Sequence, residues 1–250
     1  MTDVLGYRKK FGVMGPSTNT IVQPDFDDLR VAGVTNHYSR ILVSNATMDS
    51  DAEFMRLTYE IGDNTWDAVR SVMTADPQYL VMGMSAVTFY GGQKGSAEFL
   101  RKVEESSGNK VKASIGSQSC VAAMKAYGGI KRIAFLSPYW PTANKEVKNF
   151  FQDNDFEVVR DTYLQCPTAF AIAAVPESRL VDTLKQLDGP EIDAIVQVGT
   201  NLSMIRLAAF AEKWLKKPVI AINTATYWHA LRANGIQDKV YGFGRLLEEF

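Results

Sequence analysis

The last third of the chain repeats its middle. Val111–Gly128 reads VKASIGSQSCVAAMKAYG, Pro218–Gly235 reads PVIAINTATYWHALRANG, and the two align without a gap at a shift of 107 residues. Each is an apolar strand, a small or hydroxylated turn and a helical stretch ending at Gly. Ser117 falls on Thr224, Ser119 on Thr226, Met124 on Leu231 and Lys125 on Arg232. A second pair, Tyr79–Thr88 (YLVMGMSAVT) and Ala194–Ser203 (AIVQVGTNLS), runs at a shift of 115. A third sets Phe11–Ser17 (FGVMGPS) against Ile133–Tyr139 (IAFLSPY). A repeat of this kind predicts two copies of one α/β lobe. Facing lobes place a binding site in the cleft between them.

The periodicity extends the reading to the whole chain. Apolar runs predict buried strands at Phe11–Met14, Ile41–Val43, Tyr79–Met82, Val111–Ile115, Ile133–Leu136, Glu157–Tyr163, Ala194–Val198 and Val219–Ile222. Helical patterns between them cover Asp51–Met73, Ser96–Ser106, Ser119–Tyr127, Asn144–Asp153, Glu177–Leu187, Ser203–Leu215 and Thr226–Ala233. Strands alternating with helices predict parallel sheets flanked by helices, with right-handed crossovers. The fold class is α/β, with two pseudo-symmetric lobes of four strands each. Gly128, Gly189 and Gly235 stand where left-handed helix caps are expected. The lobes divide at about 1–112 and 113–224, and the tail 225–250 returns to the first lobe.

Bulk properties exclude several functions. The 250 residues carry a formal net charge of −1 with no basic run, so a nucleic-acid partner is not expected. No apolar run reaches the roughly 18 residues of a membrane span. The N-terminal MTDVLGYRKKFG lacks the order of a signal peptide, so a cytoplasmic location is expected. Two cysteines, Cys120 and Cys166, and two histidines, His37 and His229, make neither a metal spacing nor a disulfide framework. No metal site is expected.

In open α/β sheets ligands lie beyond the carboxyl ends of the strands, so the turns there hold the candidate chemistry. Gly15–Thr20 follows the first strand; Ser17 and Asn19 either hold a carboxylate or form an ordinary capped turn. Met84, Ser85 and Ala86 follow the third strand and lead to Tyr90. Gly199, Thr200 and Asn201 are their counterparts in the second lobe. Tyr139 follows the fifth strand, and Ser117 the fourth.

These turns, with GVMGPSTNT at Gly12–Thr20, SPYWPTANKEV at Ser137–Val147 and the TATYWHALRANG ending, resemble the aspartate/glutamate racemase superfamily. The branch is that of maleate cis-trans isomerase and arylmalonate decarboxylase. The resemblance spans nearly the whole chain; PSTNT and SPY are its specific part. It implies a cofactor-free enzyme with two pseudo-symmetric lobes, acting on a small carboxylate held by backbone N–H, hydroxyl and Asn groups. It implies a cysteine from each lobe as acid and base in racemases, one cysteine as nucleophile in maleate isomerase, and the second-lobe cysteine as proton donor in the decarboxylase. Those two positions fall here on Met84 and Gly199, which the internal repeat pairs independently. Neither can transfer a proton or attack an alkene. Ser17, Asn19, Ser85, Tyr139, Thr200 and Asn201 keep the carboxylate-binding pattern. Ala86 replaces one hydroxyl, and the Asn that maleate isomerases carry after the sixth strand is replaced near Thr168–Ala169. Tyr90 matches an aromatic motif of the decarboxylase branch, or is a packed aromatic.

The expected function is therefore a decarboxylase of non-cysteine mechanism, working through an enediolate-like anion. Tyr139, Ser85 and Thr200 form its catalytic set. Ser17, Asn19, Met84, Ala86, Tyr90, Ser117, Gly199 and Asn201 surround the substrate. Two alternatives stand beside it: an isomerase or hydratase/hydrolase of a small unsaturated (di)carboxylate such as a maleate-like acid, and a non-catalytic small-carboxylate-binding protein. Cys120 reads as a packing group, Cys166 as a loop thiol and weak catalytic candidate, His229 as a surface or capping residue and His37 as structural. The expected partner is a small carboxylate, with a homo-oligomer left open.

Overall fold

A computed structural model describes residues 3–250. In chain order its strands are β1 (Lys9–Pro16), β2 (Val34–Ile41), β3 (Tyr79–Met82), β4 (Ala113–Ser114), β5 (Arg132–Ser137), β6 (Glu157–Tyr163), β7 (Ala194–Gln197) and β8 (Val219–Ala221). They form two four-stranded parallel sheets, ordered β2-β1-β3-β4 and β6-β5-β7-β8. Both sheets thus reverse their winding between the first and third strands of each set. The two copies at the shift of 107 adopt the same elements. β4 leads into helix α4 (Gly116–Tyr127), as β8 leads into α9 (Ile222–Ala233). Gly128 and Gly235 close these helices at φ +70° and +71°.

The remaining helices are α1 (Val22–Asp28), α2 (Asp51–Met73), α3 (Gly92–Ser106), α5 (Pro141–Asp153), α6 (Ala169–Ala173), α7 (Glu177–Leu187), α8 (Ile205–Leu215) and α10 (Arg245–Glu249). α2 begins where Ser50 accepts a bond from Glu53 N at 3.3 Å, with Asp51 and Glu53 in the first turn against the helix dipole. The central strands β1, β3, β5 and β7 are buried almost throughout, as continuous apolar runs in parallel sheets are. Among the described residues no helix is long and apolar enough to cross a membrane.

Two local expectations are corrected, and three short helices were not expected. β2 lies at Val34–Ile41 rather than Ile41–Val43. It is an edge strand whose middle residues are only half buried, so the polarity of TNHYSR hid it. Gly189 is no left-handed cap: α7 ends at Asp188, which is extended at φ −72° and ψ 151°. α1, α6 and α10 carry too little apolar periodicity to be read, being 5–7 residues long.

α9 packs against α4, α1, β3 and β4, and α10 packs against α9 and α4. The second half of the duplicated unit therefore lies over the first sheet. Small side chains permit this approach: a Cβ on Gly116 would lie 2.7 Å from Ile222 Cδ1.

Candidate active site

The winding of each sheet reverses between β1 and β3, and between β5 and β7. Crevices open beyond the strand ends at such reversals. The four turns leaving these four strands meet in one cleft. Pro16, Thr18 and Asn19 come from β1, Met84, Ser85 and Ala86 from β3, Pro138 and Tyr139 from β5, and Gly199, Thr200 and Asn201 from β7. None of the residues lining the cleft is charged.

The polar groups are joined across the lobes. Asn19 Nδ2 donates to Thr200 Oγ1 at 3.1 Å. Asn19 Oδ1 accepts from Ile21 N at 3.0 Å and Val22 N at 2.9 Å, which satisfies the orphan donors at the start of α1. Asn201 Oδ1 accepts from Thr20 N at 3.0 Å, while its Nδ2 donates to Ala169 O at 2.9 Å. Thr200 N donates to Ser85 Oγ at 3.2 Å, and Ser85 Oγ lies 2.7 Å from Tyr139 Oη. The last pair contains two hydroxyl hydrogens and one mutual bond. Whichever oxygen donates, one hydroxyl hydrogen is left for a ligand. A 3₁₀ turn, Ala86–Phe89, begins beside it; its first bond runs from Thr88 N to Ser85 O at 2.9 Å. The N–H groups of Ala86 and Val87 precede that bond and have no partner within the turn.

Tyr139 is held from behind. Ser137 Oγ accepts from Tyr139 N at 3.3 Å and donates to Asn144 Oδ1 at 2.7 Å, and Asn144 Nδ2 reaches Asp161 Oδ2 at 2.7 Å. Phe54 packs on the Tyr139 ring, with centroids 5.5 Å apart. Burial pushes the Tyr139 phenol well above its ordinary range, against a smaller opposing effect of Ser85. Tyr139 is thus a phenol, and a proton donor rather than a base, throughout the working pH range.

The opposite wall is apolar, and the residue-by-residue reading of the turns did not find it. Phe54, Leu57, Thr58 and Ile61 present one face of α2 to the cleft, joined by Met48 and Ile172. Their helical spacing was visible, but the same spacing serves an ordinary core. Met48 and Ile172 arrive through a contact between lobes: Met48 N donates to Pro167 O at 2.6 Å, beside an isolated antiparallel bridge between Thr47 and Thr168.

Of the expected site residues, Asn19, Met84, Ser85, Ala86, Tyr139, Gly199, Thr200 and Asn201 come together here. Three do not. Ser17 turns away and binds the β2 side, accepting from Val43 N at 3.1 Å. Tyr90 lines a surface groove with Tyr59, Trp66 and Phe99, its hydroxyl on Met55 Sδ. Ser117 follows edge strand β4, away from the winding reversal, and pairs with Ser96 Oγ at 2.8 Å.

The thiols lie elsewhere. Cys120 is enclosed in α4 and Cys166 follows β6; neither lines the cleft. Burial raises both, Cys166 to about 11, so neither is a thiolate near neutrality. Gly199 stands at φ +103°, and a Cβ there would lie 2.4 Å from Pro138 Cδ and 2.6 Å from its Cγ. His229 Nδ1 pairs with Ser114 Oγ at 2.8 Å, and His37 Nε2 with Thr35 Oγ1 at 3.0 Å, both outside the cleft.

Known proteins carry the same arrangement of strands. A family model described as arylmalonate decarboxylase matches residues 60–247. A maleate isomerase of Pseudomonas putida strain KT2440 is 25% identical, covering 95% of this chain and 96% of its own. A maleate isomerase of Geobacillus stearothermophilus is 23% identical over similar shares. A Nocardia farcinica maleate cis-trans isomerase, solved with a covalently bound succinylcysteine intermediate, superposes with a TM-score of 0.85 at 19% identity over 97% of this chain and 99% of that one. Unliganded arylmalonate decarboxylase superposes with a TM-score of 0.75 at 20% identity, over 97% and 100%.

Proposed function

Because the chain belongs to the arylmalonate decarboxylase family, we propose that it is a cofactor-independent decarboxylase of a small acid, working through an enediolate-like anion without a thiol. The observation that carries this reading is the uncharged cleft in which Tyr139 and Ser85 stand 2.7 Å apart, with no cysteine at hand. The substrate is a malonate-type acid with two carboxylates on one carbon and an apolar substituent. One carboxylate rests on the hydroxyl and N–H groups around Ser85, Thr200 and Asn19. The second, in an environment with no cation, leaves as CO₂. The electron pair of the broken C–C bond passes into the retained carboxylate, forming the enediolate. Charge develops on its oxygens, where preorganised donors act most strongly. Tyr139 protonates the carbon and regains its proton from water. Met48, Phe54, Leu57, Ile61 and Ile172 receive the substituent, and Met84 and Ala86 help keep the leaving group dry.

The proposal includes the lobe boundaries. The cut at 113 moves to just after β4, because Ala113 and Ser114 pair with β3 in the first sheet; the second lobe runs from there to 224, and 225–250 rejoin the first, as the packing of α9 on β3 and β4 supports. It also includes the absence of cofactor and metal, a cytoplasmic location and no nucleic-acid or membrane partner.

Likeness to the maleate isomerases over nearly the full chain favours a second reading, isomerisation of a maleate-like acid. Incubation with 2-phenylmalonate and, separately, maleate, followed by proton NMR in D₂O, separates the two. Phenylacetate carrying one deuterium at the α-carbon, with CO₂ released, is the expected result. Conversion of maleate alone overturns it in favour of the isomerase, and binding without turnover of either acid in favour of a carboxylate-binding protein.

A further inference from the structure

A carboxylate that lies outside the cleft is wired into it. Asp25, one turn into α1, is buried, and its Oδ2 accepts from Asn223 Nδ2 at 2.7 Å. The same nitrogen donates to Thr200 O at 3.0 Å. Both hydrogens of this amide are therefore engaged, one by the carboxylate and one by the turn that lines the cleft. Thr200 in turn donates its N–H to Ser85 and receives Asn19 on its hydroxyl. Among the described residues Asn223 Oδ1 has no partner, so the amide is held through its NH₂ group. Asn223 itself is fully enclosed and sits in the first turn of α9.

We infer that Asp25 is a positioning residue: when ionised it holds Asn223, and through it the Thr200 turn, in register with Ser85, and when protonated it lets that turn go. The inference rests on the proposed function only in taking the Thr200 turn as part of the substrate site. Its physical basis is the donor inventory. An ionised Asp25 only accepts, which fixes Asn223 with its NH₂ between two acceptors. A protonated Asp25 keeps only a neutral carbonyl oxygen to accept from Asn223, a weaker bond than the carboxylate's, and adds an O–H for which Asn223 Oδ1 is the natural acceptor. Turning the amide to meet it sets Asn223 Oδ1 against Thr200 O, two acceptors with no hydrogen between them.

The surroundings keep the switch within reach. Arg206 of α8 pairs with Asp28 at 2.7 Å rather than with Asp25, so its charge pulls the Asp25 carboxyl down only weakly. From β2, Tyr38 donates to Gln23 O, and Arg40 to Asn19 O at 2.7 Å. Asp27 receives Asn36 Nδ2, and Tyr227 of α9 donates to Asn36 Oδ1 at 3.0 Å. Desolvation, opposed by the Asn223 bond and reinforced by Asp28, pushes the Asp25 carboxyl up to about 7. The held state is therefore the high-pH one, and turnover falls as pH drops through neutrality.

The test follows the ¹³Cγ shift of Asp25 and the ¹⁵N–¹H shift of the Thr200 amide through a pH titration of the free protein. Expected is one shared midpoint in the wild type. In Asp25→Asn, which is neutral like protonated Asp25 and cannot titrate, the Thr200 transition is lost. On 2-phenylmalonate, Asp25→Asn should flatten the acid limb of kcat with KM little changed. Asp25→Ala should lower kcat several-fold at every pH. A Thr200 amide that stays still while Asp25 titrates overturns the inference, as does a wild-type acid limb in Asp25→Asn. A Thr200 amide that follows Asp25 in a protein that decarboxylates nothing leaves the inference standing and removes the proposed reaction.

Discussion

Restoring a side chain at position 199 tests the geometry of the cleft most directly. In Gly199→Ala the new Cβ lies 2.4 Å and 2.6 Å from two ring carbons of Pro138. Carbon atoms in contact sit about 3.5–4.0 Å apart, so the overlap is about 1 Å. The ring cannot rotate away as a flexible chain would. The backbone, at φ +103°, lies where a side chain is strained in any surroundings. Strain of this kind is about 1–3 kcal/mol, and overpacking adds about 1–3 kcal/mol. The expected destabilisation is about 2–6 kcal/mol, or roughly 4–24 °C in Tm for a chain of this size. Because Pro138 precedes Tyr139, relief by displacement of the ring also moves the phenol, so kcat should fall along with stability. Reversible urea unfolding of wild type, Gly199→Ala, Pro138→Ala and the double variant gives the energy of the contact as a coupling. The double variant should recover the overpacking part and keep the strain. Gly199→Ala within 1 kcal/mol of wild type, or strict additivity with Pro138→Ala, would refute the reasoning. Gly199→Cys should behave as Gly199→Ala does or worse, so a thiol cannot simply be reinstalled there.

Tyr139→Phe removes the phenol but leaves Ser85 accepting from Thr200; kcat on 2-phenylmalonate should fall about 10²–10⁴-fold with KM changed little, and an unchanged kcat would assign the proton to another donor. Asn19→Ala leaves the Thr200 hydroxyl and two α1 donors unpaired; phenylacetate binding by calorimetry should weaken by about 1–3 kcal/mol. The double variant Cys120→Ala, Cys166→Ala, and the wild type after iodoacetamide, should keep kcat within about tenfold, since loss of an essential acid or base exceeds that; a larger fall in folded protein would put a thiol in the reaction.

The architecture was legible because duplication and burial leave periodic marks. The aligned copies 111–128 and 218–235 predict matching strand–helix units, and β4–α4 and β8–α9 are such units. α2 and α7 were read to their last residues, since each is a long amphipathic stripe bounded by loop residues. The turns after β1, β3, β5 and β7 were legible for another reason: parallel sheets send ligands to their strand ends whatever the side chains are. Met84 and Gly199 could be paired from the repeat alone. That Gly199 is closed to any side chain was decided by Pro138, a neighbour 61 positions away in the chain. Ser17, Tyr90 and Ser117 stood in plausible turns, yet the direction of a side chain is set by the packing of whole elements, and these three point elsewhere. The apolar wall from α2 carried a periodicity that a core would share. The link from Asp25 to Asn223 spans 198 residues and joins two side chains with no local signature. Local patterns of polarity determined the strands, the helices and the turns between them; which side chains converge, and which buried carboxylate reaches the cleft through an amide, came only with the closing of two lobes on each other.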